Sequence, residues 1–475
     1  MNNIDEKLNH IRRLLKAGQT AAARNELKIL KDTADERDLW RVHELFGELF
    51  FCTADAEGAA AAYLNAAKHD RYLSAQCQHF SNYLFALHYL HGVDKAALFR
   101  EHCFYGGFFD GAAVLPTAKK TCAKKIRVGY LAVNFLFQAA ALFFDVMLTR
   151  YNRDEFEVYC YSLEEAEDNF SRRMKNSTDK FVFLPADYEE AAKKINADGI
   201  DILFDLGGHS AGGRTLLVAS RRPAKVCITG IGYFDTTGAD FVDYVLGDHV
   251  LFDNGSKDYF TENVLLLPHA FCFSPTDEMQ QIAPMPQEHQ RVVFGCFNNF
   301  MKITDEMLAL WREILRQTPD SKLILQDTTD ISARLCAMKS RVIKANIPAD
   351  VVEIRPAAED YWEHYGEVDI MLNPAPYNGG AMTAVALYMG VPAVTLCGDR
   401  YGARFGSSIL KSAGLSEFAA ATPEEYVQKA TDLAKDKERL KNLRVKLRNI
   451  LQASPLLDGD GYMKELERRY KEIIG

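Results

Sequence analysis

The chain has 475 residues, 48% of them hydrophobic and 25% charged, with a formal net charge of −9. That length asks for two or three domains, and that balance is the one of a soluble globular protein. An acidic chain offers no basic footprint for a nucleic-acid backbone, and no apolar run approaches the roughly 20 residues that cross a bilayer. Ten cysteines lie apart, without a C-x-x-C pair. Cys160, Cys227, Cys296 and Cys397 sit inside apolar runs, where cysteine behaves as a small buried hydrophobe. His88 and His91 are too few for a zinc site, so no metal is expected.

The first residues, "MNNIDEKLNHIRRLLKAGQ", lack an apolar signal core and read as an amphipathic helix. A reducing cytoplasm is therefore the expected compartment. Residues 1–115 read as helical throughout. "TAAARNELKILKDT" repeats apolar residues at three-to-four spacing. "RDLWRVHELFGELFFCTADAEGAAAAYLNAAKHD" reads as two antiparallel helices joined near Ala54 to Glu57. A glycine or small residue at the close contact, and Ala-x-x-x-aromatic on the return helix, resemble a tetratricopeptide unit. One or two such units cannot make a solenoid, so they must pack on the rest of the chain.

From Ile126 short apolar runs alternate with helical stretches: "IRVGYLAV", "FEVYCYSL", "KFVFLP", "IDILFDLGG", "KVCITGIGY", "DYVLGD" and "NVLLLP". This alternation predicts β-α-β units and a parallel sheet with its site at the strand C-termini. "PTDEMQQIAPMPQEHQ" (275–290) is polar and non-periodic, as a linker is. A second series follows: "RVVFGCF", "SKLILQD", "VVEIRP", "VDIMLNP" and "AVTLCGD". The chain closes on the helical "GYMKELERRYKEIIG". The expected architecture is α/β: a helical region 1–115, Rossmann-like halves over 116–285 and 286–452 facing a cleft, and a terminal helix over 453–475.

Four stretches carry more than periodicity. They are "IRVGY…FEVYCYSL", "DLGGHSAGGRTLLVASRRPAKVCITGIGYFDTTGADFVDYVLGD", "FGCFNNFMKITDEMLALWREILRQTPDSKLIL" and "NPAPYNGG…ALYMGVPAVTL". Together they resemble the bacterial O-GlcNAc-transferase-like glycosyltransferases of family 41, over about residues 80–430. The resemblance implies a GT-B fold, a nucleotide-sugar co-substrate, usually UDP-linked, bound mainly by the C-terminal half, and no further cofactor. It also implies inverting transfer without a metal to a protein or peptide acceptor.

Lys302 of "FNNFMK" stands where the family places its diphosphate-binding lysine, with Asn299 beside it. One cation there offsets the charge that gathers as the sugar–phosphate bond breaks. Asn378, Gly379 and Gly380 fit a phosphate-facing loop, since a Cβ would obstruct close backbone approach. An ordinary strand-to-helix turn is the competing reading. Tyr361 aligns with the ring that relatives lay against the base, and a core tyrosine is the alternative. His209 and Ser210 of "GGHSAGG", with Thr236 and Thr237, are expected at strand ends facing the cleft. His209 and Gln138 complete the candidate catalytic set, although an isolated histidine is more often a hydrogen-bonded structural one.

Three departures weigh against turnover. The family carries an acid and, four positions later, a histidine where this chain has Asn134 and Gln138. Glutamine takes no proton near neutral pH. Two threonines of the family helix are Ala381 and Met382, leaving Thr383, and its ribose-binding carboxylate is Val385. The sequence thus supports an active transferase, with a non-catalytic subunit that binds or scaffolds an active glycosyltransferase partner as the alternative. A GT-B epimerase or phosphorylase is a third reading, and the helical region, which looks like a protein-contact surface, counts against it.

Overall fold

The computed structural model describes residues 3–116, 125–253, 255–282 and 289–475. Residues 283–288 of the expected linker, and the boundary between 285 and 286, lie outside the described residues. Contacts divide the chain into two compact units: residues 1–93 with 277–451, and residues 94–276 with 452–475. Each sheet unit therefore takes a piece of the chain from a distant stretch, a grouping that differs from the order along the sequence.

The unit of residues 94–276 carries a seven-stranded parallel sheet. Its strands are β1 (Ile126–Ala132), β2 (Phe156–Ser162), β3 (Lys180–Phe183), β4 (Ile202–Asp205), β5 (Val226–Thr229), β6 (Tyr244–Gly247) and β7 (Asn263–Leu266). They run in the order β3-β2-β1-β4-β5-β6-β7. β1 pairs with β2 on one side, Val128 beside Val158, and with β4 on the other, Val128 beside Ile202. β4 is wholly buried, as a strand covered on both faces must be.

The helix Lys95–Gly106 belongs to this unit because His102 and Gly106 lock it there. The His102 Nε2 accepts from the Tyr233 hydroxyl at 2.7 Å, while its Nδ1 donates to the Leu98 carbonyl at 2.8 Å. A Cβ on Gly106 would stand 2.0 Å from the Gly238 carbonyl oxygen, so the two backbones touch. The final helix, Gly459–Ile474, joins the same unit through Tyr470, whose hydroxyl lies 3.2 Å from that of Tyr130 on β1.

The other unit carries a six-stranded parallel sheet in the order β10-β9-β8-β11-β12-β13. These strands are β8 (Val293–Phe297), β9 (Lys322–Gln326), β10 (Val352–Arg355), β11 (Ile370–Leu372), β12 (Ala393–Leu396) and β13 (Ala419–Ala420). Both sheets reverse strand order beside their first strand, at β1/β4 and at β8/β11. At such a switch point the flanking loops splay apart and leave room for a ligand.

The helices Leu39–Cys52 and Ala56–His69 form the tetratricopeptide-like pair within this second unit. Asp55 caps the return helix by accepting from the Gly58 N–H at 2.9 Å. Gly47 has no side chain because the Tyr63 ring fills that space, 2.4 Å from where a Cβ would be. The pair packs by a small-against-aromatic contact, as its spacing predicts.

Candidate active site

The switch point of the six-stranded sheet gathers most of the expected donor-side residues. β8 is followed by Asn298 and Asn299, and the next three residues, Phe300–Lys302, form a 3-10 turn. The Asn299 side chain starts that turn by accepting from the Met301 N–H at 3.0 Å. The turn swings Lys302 toward the loop that follows β11. There its ammonium donates to the Asn378 carbonyl at 3.1 Å and lies 3.5 Å from the centre of the Tyr377 ring. Lys302 is half-buried, and desolvation pushes its pKa down to about 7. Tyr377 holds the ammonium by its ring face.

The loop after β11 is tied down by asparagines. Asn373 accepts from the Gly379 N–H at 2.7 Å and donates to the Thr395 hydroxyl at 3.0 Å. Asn378 donates to the carbonyls of Pro374 at 2.8 Å and Leu396 at 3.3 Å. Gly379 is required sterically, since a Cβ would lie 2.2 Å from the Asn298 Oδ1. The helix Gly380–Tyr388 begins here, and among the described residues no side chain caps it. Its first amides are of the kind that meet an anion.

The residues of that helix lie inside the protein. Ala381 and Met382 are 6% and 8% exposed, and the Met382 carbonyl accepts from the Tyr365 hydroxyl at 3.3 Å. The Thr383 hydroxyl donates back to the Gly379 carbonyl, so it serves the helix's own start. Val385 is 0% exposed. At this position, where the resemblance implies a carboxylate, the chain has a closed apolar side chain. Tyr361 is half-buried and makes an edge contact with Trp362, ring centres 5.2 Å apart.

The residues expected on the seven-stranded sheet are arranged differently. His209 was expected to face a cleft, yet its ring is wholly buried. Its Nε2 donates to the Thr237 carbonyl at 2.9 Å, and the Tyr105 ring stands edge-on at 4.4 Å. Burial first, and then the neighbouring His102, hold its pKa well below that of ordinary histidine. Thr236 and Thr237 are also buried. Their hydroxyls donate to the Glu262 carboxylate, Thr236 at 2.6 Å, and burial raises that carboxyl's pKa. Ser210 is half-buried and its hydroxyl donates to the Gly207 carbonyl at 2.5 Å.

Gln138, after β1, is exposed. Asn134 donates to Glu164 at 3.0 Å, and Glu164 also accepts from Arg214 at 2.6 Å. These bonds, Arg214 first, hold the Glu164 carboxyl below its ordinary range. Sequence reasoning passed over Glu164 and Arg214, as it did Asn373 and Tyr377. Asn373 and Tyr377 lie in "NPAPYN" itself, where two asparagines at strand and helix ends were a signal of backbone tethering.

Comparison with known proteins sets this geometry in a family. The profile of "Glycosyl transferase family 41" matches residues 111–287 and 280–466. The "Probable UDP-N-acetylglucosamine--peptide N-acetylglucosaminyltransferase SPINDLY" of Arabidopsis thaliana is 31% identical over 407 residues, covering 82% of this chain and 44% of the relative. The UDP-N-acetylglucosamine--peptide N-acetylglucosaminyltransferase of Caenorhabditis elegans is 23% identical over 465 residues, covering 72% and 40%. The chain thus spans less than half the length of the curated relatives it matches. Among solved structures, a mutant of the Thermobaculum terrenum O-GlcNAc transferase is 26% identical with a TM-score of 0.83, covering 99% of this chain and 97% of that one. With both halves matched in sequence and the whole chain matched in fold, the protein belongs to glycosyl transferase family 41 and has the GT-B fold.

Proposed function

We propose that the chain is an inverting, metal-independent glycosyltransferase that moves a sugar from a UDP-linked donor to a protein or peptide. The observation that carries this reading is the meeting of Lys302 with the Asn378 carbonyl at the uncapped start of the helix Gly380–Tyr388. A diphosphate placed there takes the ammonium on one side and helix amides on the other. The names of the relatives from Arabidopsis thaliana and Caenorhabditis elegans, both UDP-N-acetylglucosamine--peptide transferases, support a UDP-linked donor and a polypeptide acceptor.

In this reading an acceptor hydroxyl attacks the anomeric carbon as its bond to the β-phosphate oxygen breaks. The electron pair stays on that oxygen, and Lys302 stabilises it. The charge of the diphosphate raises the lysine's pKa, so the ammonium is protonated when it is needed. The acceptor hydroxyl gives up its proton to solvent water or to the departing diphosphate, since a glutamine such as Gln138 cannot take it.

Incubation with a panel of UDP- and GDP-sugars, with lysate as acceptor, tests the proposal. Donor hydrolysis or transfer from a UDP-sugar is the expected result. Silence with every donor sinks it.

The buried Val385 and the exposed Gln138 favour a second reading, a subunit that binds or scaffolds an active glycosyltransferase. Turnover by the isolated chain rules that out. Among the described residues no helix is long and apolar enough to cross a membrane.

A further inference from the structure

We infer that Arg334 is a positioning residue that holds the Lys302 turn in register with the helical layer of residues 39–90. The inference rests on the proposed role of Lys302 at a diphosphate. Arg334 lies on the helix Ser332–Lys344 and is 0% exposed. Its guanidinium reaches in three directions. Nη1 donates to the Asn299 side chain at 2.9 Å, the residue that starts the Lys302 turn. Nε donates to the Phe51 carbonyl at 3.1 Å, at the end of the helix Leu39–Cys52. The same group lies 4.6 Å from the centre of the Phe51 ring and 3.7 Å from the Asp327 carboxylate.

Asp327 completes the clamp. Its Oδ1 accepts from the Phe300 N–H, inside the turn, at 3.3 Å and from the Thr328 N–H at 2.8 Å. Two adjoining residues of the turn are thus held by one buried ion pair, which also grips the helical layer. A second contact runs in parallel. The Tyr89 ring, from the same layer, lies 5.5 Å from the Tyr377 ring, whose face carries the Lys302 ammonium.

A buried charge is costly, and an apolar side chain packs two helices as well. What an apolar residue cannot do is fix an amide oxygen, a carbonyl and a carboxylate at set angles. A planar fork can, and a lysine cannot. The helical layer is thereby part of the frame that sets where the Lys302 ammonium sits and how dry it is.

The test reads Lys302 directly, without turnover. Competitive acetylation followed by mass spectrometry gives the apparent pKa of Lys302 in the native chain and in Arg334→Lys, and calorimetry gives the UDP affinity of each. Arg334→Lys keeps the charge opposite Asp327 while losing the fork. The expected result is a Lys302 pKa that climbs by about one unit or more toward the ordinary lysine value near 10.4, as water reaches the loosened turn. UDP affinity should fall by about fivefold or more as the ammonium loses its place.

If Arg334→Lys does not fold, Asn299→Ala cuts the same link from the other side and leaves the Arg334–Asp327 pair intact. A variant that melts with the native chain and keeps both its Lys302 pKa and its UDP affinity overturns the inference. If the native chain binds no UDP, the donor reading fails, while the Lys302 pKa still decides the role of Arg334.

Discussion

At Lys302 the proposed function puts its chemistry on one side chain, and two measurements follow from its surroundings. Bond cleavage gathers a further negative charge on the β-phosphate, so Lys302→Ala should lower the rate far more than donor affinity. By analogy with loss of one oxyanion donor the fall is about 100- to 1,000-fold, or roughly 3–4 kcal/mol. Lys302→Arg should rescue only in part, because a planar fork does not fit a compact ammonium's place. A wild-type rate at saturating donor in the alanine variant removes Lys302 from the mechanism. The second measurement concerns protons. With its pKa near 7 in the nucleotide-free chain, Lys302 is largely neutral at pH 8. Bound diphosphate raises that pKa, so binding at pH 8 takes up close to one proton, and affinity weakens as pH rises above 7 by up to about tenfold per unit. Calorimetry in two buffers of different ionisation heat reads the uptake, and Lys302→Ala should abolish it. The position of this lysine was legible in "FNNFMK". Its low pKa was not, because it comes from burial, and the residues that close over the ammonium, such as Tyr377 and Asn378, lie 75 and 76 residues downstream. His209 teaches the reverse lesson. The glycines beside it read as room for a substrate, whereas a Cβ on Gly208 would stand 2.3 Å from that of Tyr233. Gly208 is there for core packing, a cause that leaves the same mark in a sequence.

The helix Gly380–Tyr388 is the element on which donor binding turns in the proposed function. Ala381→Thr with Met382→Thr adds hydroxyls beside amides that already favour an anion, so UDP should bind more tightly. The same change removes most of a buried methionine, so the melting temperature should fall. Calorimetry and a melting curve separate the two effects, and unchanged affinity would place the phosphates elsewhere. Val385→Glu should fail in a different way. It restores the carboxylate that the resemblance implies, but at a position 0% exposed, in a helix buried along most of its length. An unpaired carboxylate there costs on the order of 3 kcal/mol or more, so this variant should melt several degrees lower. A stable Val385→Glu chain with tighter UDP binding would mean that the ribose reaches that side chain. The helix itself was legible, with its Pro/Gly entry and its exit through Gly390 and Pro392. That it lies buried nearly throughout was not, because an all-apolar helix has no periodic face from which burial can be read.

For the molecule as a whole, the alternation of short apolar runs with helical stretches was enough to give two parallel sheets behind a helical region. Strand order and the packing of distant pieces were not legible, because they depend on contacts between stretches far apart in the chain. His102 is such a contact, and it ties the stability of its unit to pH. Burial lowers its pKa to about 4, against 6.5 for ordinary histidine. Between those values the unfolded chain binds a proton that the folded chain refuses, so this residue's contribution to stability falls as pH drops from 6.5 toward 4. His209 acts with the same sign, being lowered by burial, while Asp205 and Glu262, raised by burial, act with the opposite one. A difference measurement isolates His102. The double variant His102→Phe with Tyr233→Phe keeps two rings and removes both partners of the 2.7 Å hydrogen bond, together with the ring's bond to the Leu98 carbonyl, so the slope with pH rather than the absolute stability is compared. The three tryptophans, Trp40, Trp311 and Trp362, all lie in the other unit, so far-UV circular dichroism rather than tryptophan fluorescence must follow this one in urea. Against the native chain, the double variant should lose stability less steeply below pH 6.5, by about 1.4 kcal/mol per pH unit for the one proton removed. Equal slopes in the two proteins would mean that His102 titrates alike whether folded or not, and that its burial is not what makes this unit sensitive to acid.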